Sequence, residues 1–495
     1  MNKPQNNRRV PALILAVLLL LSAAACSADT DGNTDMAETT AVTTAEVTES
    51  EVIQNNLPEE LSFDQQTVKI LARSGLLEKE LYVEEDTGDV VDSAVIKRNQ
   101  LAEERLDIVL EYVLDTAPHA TASKSITAME DEYQIVADWQ LRMAVQGAQG
   151  EYRNVLDDSL PYIDIEQPWW SQYYLEEAQI GGKHFALTGD LATSLKRMAF
   201  VTYFNKSVAE RYNIASVYND VVSGNWTLAR QNELTKDVYE DINGNSEADA
   251  GDVFGIGVSN MLTFDIFWSA FDINSVNRGE DGSITLNENI DKLSSCVEAI
   301  YNLFYNNTST LNIPVEDANY EQNRLATYFA EDELLFTYLR VIHSESELRQ
   351  MKSDYGLIPL PKWSEEQENY YTYVHDIFTA FGVPVTCQHV EAASAALEAL
   401  GYYSYLYVTP AYYDVALNGK YLRDSESSEM LEIAMDGIKL DFGWLHCLSL
   451  GELPQNLVRA PLHSKNTNIA SIVKANTKRF NKLIEKLVEN YDAVE

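Results

Sequence analysis

The spacing of the first apolar runs constrains the fold more than any other feature of this chain. Thr67-Val68-Lys69-Ile70-Leu71-Ala72 has the composition of a strand. Asp92 follows as a helix N-cap, and residues 93–106 read as the helix it opens. Ile108-Val109-Leu110-Glu111-Tyr112-Val113 reads as a second strand, and Tyr133-Gln134-Ile135-Val136-Ala137 as a third. Strand, helix and strand at this spacing predict an α/β fold with a parallel sheet and crossover helices. Further on, Leu334–Tyr338 and Gly382–Val385 read as short buried strands, residues 391–407 as helix, and Val253–Val258 as a strand. Phe480, Leu483, Ile484, Leu487 and Val488 fall on one face of a C-terminal helix. About 430 residues follow the N-terminal linker, too many for one hydrophobic core.

Residues 1–25 carry the signature of a secretory signal: Lys3, Arg8 and Arg9, then the apolar run Val10–Leu21, then small residues. Leu21-Ser22-Ala23-Ala24-Ala25-Cys26 resembles the lipobox of bacterial lipoproteins, with Ala23 where leucine is more usual. The resemblance implies that Cys26 is lipidated and that the protein sits on the extracellular face of the cell membrane. Residues 26–64 read as an acidic, Thr-rich tether, most plainly from Ser27 to Asn56, which contains no Lys or Arg. Such a segment buries too little apolar surface to fold.

The net charge is −41, a surface that repels nucleic acid and anionic lipid. Contact with the membrane is therefore expected only through the lipid. Cys296, Cys387 and Cys447 read either as buried free thiols or, for the last two, as a bridge.

Several stretches resemble the extracellular solute-binding lipoproteins of carbohydrate ABC importers. They are Tyr203-Phe204-Asn205-Lys206, Gly224-Asn225-Trp226-Thr227-Leu228, Phe329 to Tyr338, and Tyr355-Gly356-Leu357-Ile358-Pro359-Leu360-Pro361-Lys362. The resemblance implies a two-lobed, periplasmic-binding-protein-like (type II) fold that closes on a ligand. By analogy the first lobe holds 65–204 and 376–435, and the second 205–375 and 436–495 with the C-terminal helices. It implies a monomer that binds a sugar or oligosaccharide and works with ABC permease subunits.

The chain has 28 Tyr, 15 Phe and 7 Trp. Aromatic faces stack on the C–H patches of sugars, although a single aromatic is more often core. Gln167-Pro168-Trp169-Trp170 stands out, because neighbours in a strand face opposite ways and two adjacent Trp side chains do not readily share one core. The candidate ligand contacts are Trp169, Trp170, Trp226, Trp268, Tyr338, Arg340 and Asp376, with His375 beside the last. Arg340 would supply paired hydrogen bonds.

Asp241, Asn243, Asn245, Glu247, Asp249 and Asp252 place oxygen ligands at the spacing of an EF-hand-like calcium loop, Glu247 through its carbonyl. Ser246 replaces the usual glycine at the sixth position, and Asp252 the usual glutamate at the twelfth. A structural Ca²⁺ is expected there. No HExxH, GxSxG, Walker or GxGxxG motif occurs. A binding protein rather than an enzyme is therefore expected. The alternatives are a lipid-anchored polysaccharide hydrolase, whose carboxylate pair would hide among the many acids, and a surface adhesion or scaffold lipoprotein.

Overall fold

The computed structural model describes residues 53–494, apart from 280, 281, 288, 314–317, 414–416 and 418–420. The signal segment, Cys26 and most of the tether lie outside the described residues. From Gln54 onward the chain forms one compact unit.

Strands β1 (Gln66–Arg73), β2 (Ile108–Asp115) and β3 (Ile135–Trp139) run parallel, with β1 between the other two. The helix Val90–Leu106 connects β1 to β2. Its N-cap is Asp89, whose side chain accepts the Val91 N–H, and not Asp92 as the sequence suggested. Asp92 lies in the first turn, where its carboxylate takes Lys79 Nζ at 2.8 Å. The helix ends at Asp107, in the left-handed region at φ 51°, a common way to stop a helix.

The chain then crosses into a second sheet. Its strands are β4 (Phe200–Asn205), β5 (Tyr239–Glu240), β6 (Val253–Ser259), β9 (Thr310–Ile313), β10 (Leu334–Arg340) and β11 (Tyr355–Ile358), and β7 (Val276–Arg278) and β8 (Ile284–Leu286) form a separate hairpin. The order is β11-β4-β10-β6, with β5 and β9 also paired to β6. Every residue of β4, β6 and β10 is buried, as expected of strands covered on both faces.

A second crossing returns the chain to the first sheet as β12 (Thr379–Gly382), antiparallel to β3. The first sheet is therefore not purely parallel, because its fourth strand arrives from the other lobe. The two crossings bond to each other: Phe200 N–H to the Tyr373 carbonyl at 2.9 Å, and His375 N–H to the Met198 carbonyl at 3.0 Å.

Two expectations about boundaries are corrected. Packing starts near residue 56 rather than 65: Leu57 is buried in the first lobe, and Arg105 donates to its carbonyl at 3.3 Å. The helix Ser425–Asp436, expected in the first lobe, lies on β11 of the second, where Ser427 Oγ accepts the Leu357 N–H at 3.1 Å. Lys206, at the end of β4, pairs with Asp424 at 2.6 Å and fixes that placement. The helix Ile469–Ala493 packs on the second lobe, yet Tyr491 reaches Phe185 of the first, with ring centroids 5.0 Å apart. The helix Val390–Tyr403 packs against Val90–Leu106. Cys296, Cys387 and Cys447 are free and buried.

Candidate functional site

In open α/β sheets, ligands bind in the crevice outside the carboxyl ends of the strands. Here Arg73 closes β1, Trp139 closes β3 and Arg340 closes β10. Trp139 is 36% exposed, whereas Trp169, Trp170, Trp226, Trp268 and Trp444 are buried. The Arg73 guanidinium lies 5.0 Å from the centre of the Trp139 ring. One of its nitrogens, Nη2, donates to the Ile377 carbonyl at 3.0 Å, which ties the end of β1 to the second crossing.

Beside Ile377 stands Asp376, half-buried, its carboxylate 3.5 Å from Gln455 Nε2. Gln455 Oε1 accepts from Arg459 Nη1 at 3.0 Å, and Arg459 grips the buried Asp265 through two nitrogens, Nε at 2.8 Å. Gln455 and Arg459 lie one turn apart on the helix Leu453–His463, so both side chains reach the same place. Burial and the neighbouring Asp265 push the Asp376 carboxyl up to about 6.

Arg340 is buried behind this group. Its Nη1 donates to His375 Nδ1 at 3.4 Å and touches Met198 Sδ at 3.9 Å. Burial, then Arg340, Arg459 and Arg73, hold His375 well below the usual histidine range, so it stands neutral. Next to Asp376 the lobes also enclose a cavity of about 10 Å³, lined by Gln140, Ser269, Tyr373, Lys439 and Asp441 among others, room for about one water.

Five of the residues expected at the ligand are core instead. Trp169 and Trp170 both pack against the helix Val390–Tyr403. A Cβ on Gly401 would fall 2.7 Å from the Trp169 ring and 3.2 Å from that of Trp170. Gln167 to Trp170 is a turn, as Pro168 suggests, closed by Trp170 N–H to the Gln167 carbonyl at 3.1 Å, so strand alternation does not keep the two rings apart. Trp226 sits in the second-lobe core, where its Nε1 donates to the Pro359 carbonyl at 3.0 Å and its ring lies 5.5 Å from Phe336. Tyr338 is buried with its hydroxyl on Gln231 and its ring edge-on to Phe267. These side chains have no face left for a solute. Trp268 is also buried, edge-on to Trp444, which in turn meets Tyr373 of the second crossing.

Arg340 and Asp376 flank His375, Arg340 with Nη1 on its Nδ1 and Asp376 with its carboxylate 3.5 Å from its Nε2. Arg73, Trp139, Gln455 and Arg459 were missed, although the first two were in principle legible as the last residues of strands whose carboxyl ends face the crevice.

The acidic loop folds around its own side chains. Asp241 accepts the N–H groups of Gly244 and Ser246, at 2.6 and 2.9 Å, and Asp249 accepts the side-chain amides of Asn243 and Asn245, each at 2.8 Å. Ser246 takes the left-handed conformation at φ 63° that the sixth position of such a loop requires. Asp252 is buried, accepts the Ile242 N–H at 3.1 Å and points to the Tyr239 hydroxyl at 3.2 Å. Among the described residues no group of three or more His, Cys, Asp or Glu side chains is placed to hold a metal ion.

No protein-family model matches the chain, and no curated protein matches it in sequence. Solved structures do. An ABC substrate-binding protein from Listeria monocytogenes, in complex with cycloalternan, is 10% identical with a TM-score of 0.53, the match covering 85% of this chain and 100% of that one. A maltose/maltodextrin-binding domain from Bdellovibrio bacteriovorus bound to maltotriose is 15% identical with a TM-score of 0.52, covering 86% and 100%. A cyclo/maltodextrin-binding protein complexed with maltotetraose is 11% identical with a TM-score of 0.55, covering 88% and 99%. The chain has the two-lobed, periplasmic-binding-protein-like α/β fold of ABC-transporter sugar-binding proteins. Those neighbours are binding proteins.

Proposed function

We propose that this protein captures a saccharide outside the cell, in the crevice between its lobes, and hands it to an ABC permease. The observation that carries the reading is the site itself. An exposed tryptophan face stands against Arg73, which bonds the second crossing at Ile377, the residue after Asp376, a pairing of apolar plate and polar groups that suits a sugar. Both crossings run next to it, so lobe closure about them would bury the solute. Lipidation of Cys26 would keep the protein beside its permease.

One preparation tests both parts. Protein extracted with detergent from the membrane fraction should carry a diacylglycerol on Cys26 by intact mass, and should bind oligosaccharides saturably by calorimetry. An unmodified secreted form removes the anchor. Absence of binding across a broad saccharide panel removes the capture role.

The acidic loop is proposed to hold a structural Ca²⁺ through Asp241, Asn243, Asn245, the Glu247 carbonyl, Asp249 and Asp252. The left-handed Ser246 and the turn around Asp241 support it. The melting temperature should rise in calcium over chelator, and the rise should vanish in Asp241→Ala. Equal melting in both media rejects the site.

A further inference from the structure

We infer that the solute carries an anionic group, and that its carboxylate is held by Arg73 and Arg340: the saccharide is an acidic one, of the uronate kind. The inference rests on the capture role proposed above.

The chain is strongly acidic, with 77 Asp and Glu against 36 Lys and Arg. Against that excess, Arg340 bonds His375 at 3.4 Å and Arg73 bonds the carbonyl of Ile377 at 3.0 Å, two residues on along the same crossing, while Arg459 reaches Asp376 between them through Gln455. Arg459 has its carboxylate, Asp265. Arg73 and Arg340 form no ion pair among the described residues. Arg73 bonds a carbonyl and faces a ring, while Arg340 bonds a neutral histidine and a thioether. Each also keeps a buried nitrogen with no acceptor, Nη1 of Arg73 and Nε of Arg340.

A buried cation without a bonded anion is unfavourable, and so is a buried N–H without an acceptor. Both guanidiniums respond to the burial, Arg73 moving below its usual range and Arg340 down to about 10. The carboxylates that act on the two arginines are bonded to other groups, Glu347 beside Arg340 by the Ser346 hydroxyl. Glu80 accepts from Thr193, Ser194 and Thr379, and Asp138 from His119. Asp376 faces the same crevice but is bonded by Gln455. A carboxylate arriving with the solute would fill the open N–H groups and supply the missing charge. Guanidinium groups suit it because their planar fork matches two carboxylate oxygens. Trp139, stacked on Arg73, would place the sugar ring within reach of the same arginine.

The test is calorimetry with digalacturonate and its neutral counterpart galactobiose, at low and at raised ionic strength. The acid should bind at least about tenfold tighter at low salt, with the preference shrinking as salt rises. Arg73→Gln should erase the preference and Arg73→Lys should keep part of it, circular dichroism confirming that both are folded. If Arg73→Gln does not fold, the salt dependence of the wild-type preference still decides. Equal or tighter binding of the neutral sugar overturns the charge assignment and leaves saccharide capture standing. Failure of both sugars, and of the wider saccharide panel, overturns the two together.

Discussion

Trp139→Ala should cost this protein about 30-fold or more in saccharide affinity while leaving its fold intact. The ring closes β3 and is the most exposed of the tryptophans. Stacking a sugar on it combines apolar burial with the geometry of an aromatic plate, and centrally placed aromatic contacts of this type are worth about 2 kcal/mol or more. The cost to the free protein is smaller. Only the contact with Arg73 is lost, and a partly exposed cation–π pair contributes about 0.5–1 kcal/mol. The matching change in the first lobe, Trp169→Ala, should do the reverse. Trp169 is fully buried, so its removal should lower stability by about 3–5 kcal/mol and affect binding only through unfolding. Affinity by calorimetry and stability by urea titration of the two variants separate the roles. A Trp139→Ala protein that binds as tightly as wild type would move the site elsewhere.

The second large effect concerns Glu398, whose carboxylate is buried among the two core tryptophans. Oε2 accepts from Trp170 Nε1 at 3.0 Å, while Oε1 has no partner. Burial pushes the group from 4.5 up to about 7, against the pull of the Trp170 hydrogen bond. The folded state therefore holds a proton that the unfolded chain has already released. Stability falls as pH rises from about 4.5 to about 7 and is flat above that. The accumulated penalty at pH 8 is about 3 kcal/mol. Glu398→Gln keeps an acceptor for Trp170 and removes the charge, so it should stabilise the protein by about that amount at pH 8. The gain should fade to under about 1 kcal/mol at pH 5, measured by urea unfolding at both values. A difference that does not change with pH would show that the carboxyl is ionised throughout.

Much of the architecture was legible in local patterns. β1, β2 and the helix between them follow from the apolar runs, and within the Gly224–Leu228 stretch Thr227 caps the helix Leu228–Thr235 by accepting the Arg230 N–H. What could not be read locally was anything fixed by the return of the chain. The antiparallel β12 and the allegiance of Ser425–Asp436 depend on contacts between residues far apart in sequence, such as Lys206 with Asp424. The site suffered for the same reason. Composition favoured the paired Trp169 and Trp170, but Gly401, more than 200 residues later, opens the space that lets both enter one core. Arg340 and Asp376 were legible as candidates because they border a strand end and the second crossing. Gln455 and Arg459 come from a C-terminal helix whose position beside Asp376 no local pattern announces.

The central claim is that the crevice between the lobes takes up a saccharide without transforming it. It is tested most directly by titrating the wild-type protein with neutral and acidic oligosaccharides in a calorimeter, and assaying the same mixtures for new reducing ends. The account predicts saturable one-to-one binding to at least one of these saccharides and no product. New reducing ends that disappear when a single carboxylate is replaced, or no binding to any saccharide offered, would contradict it.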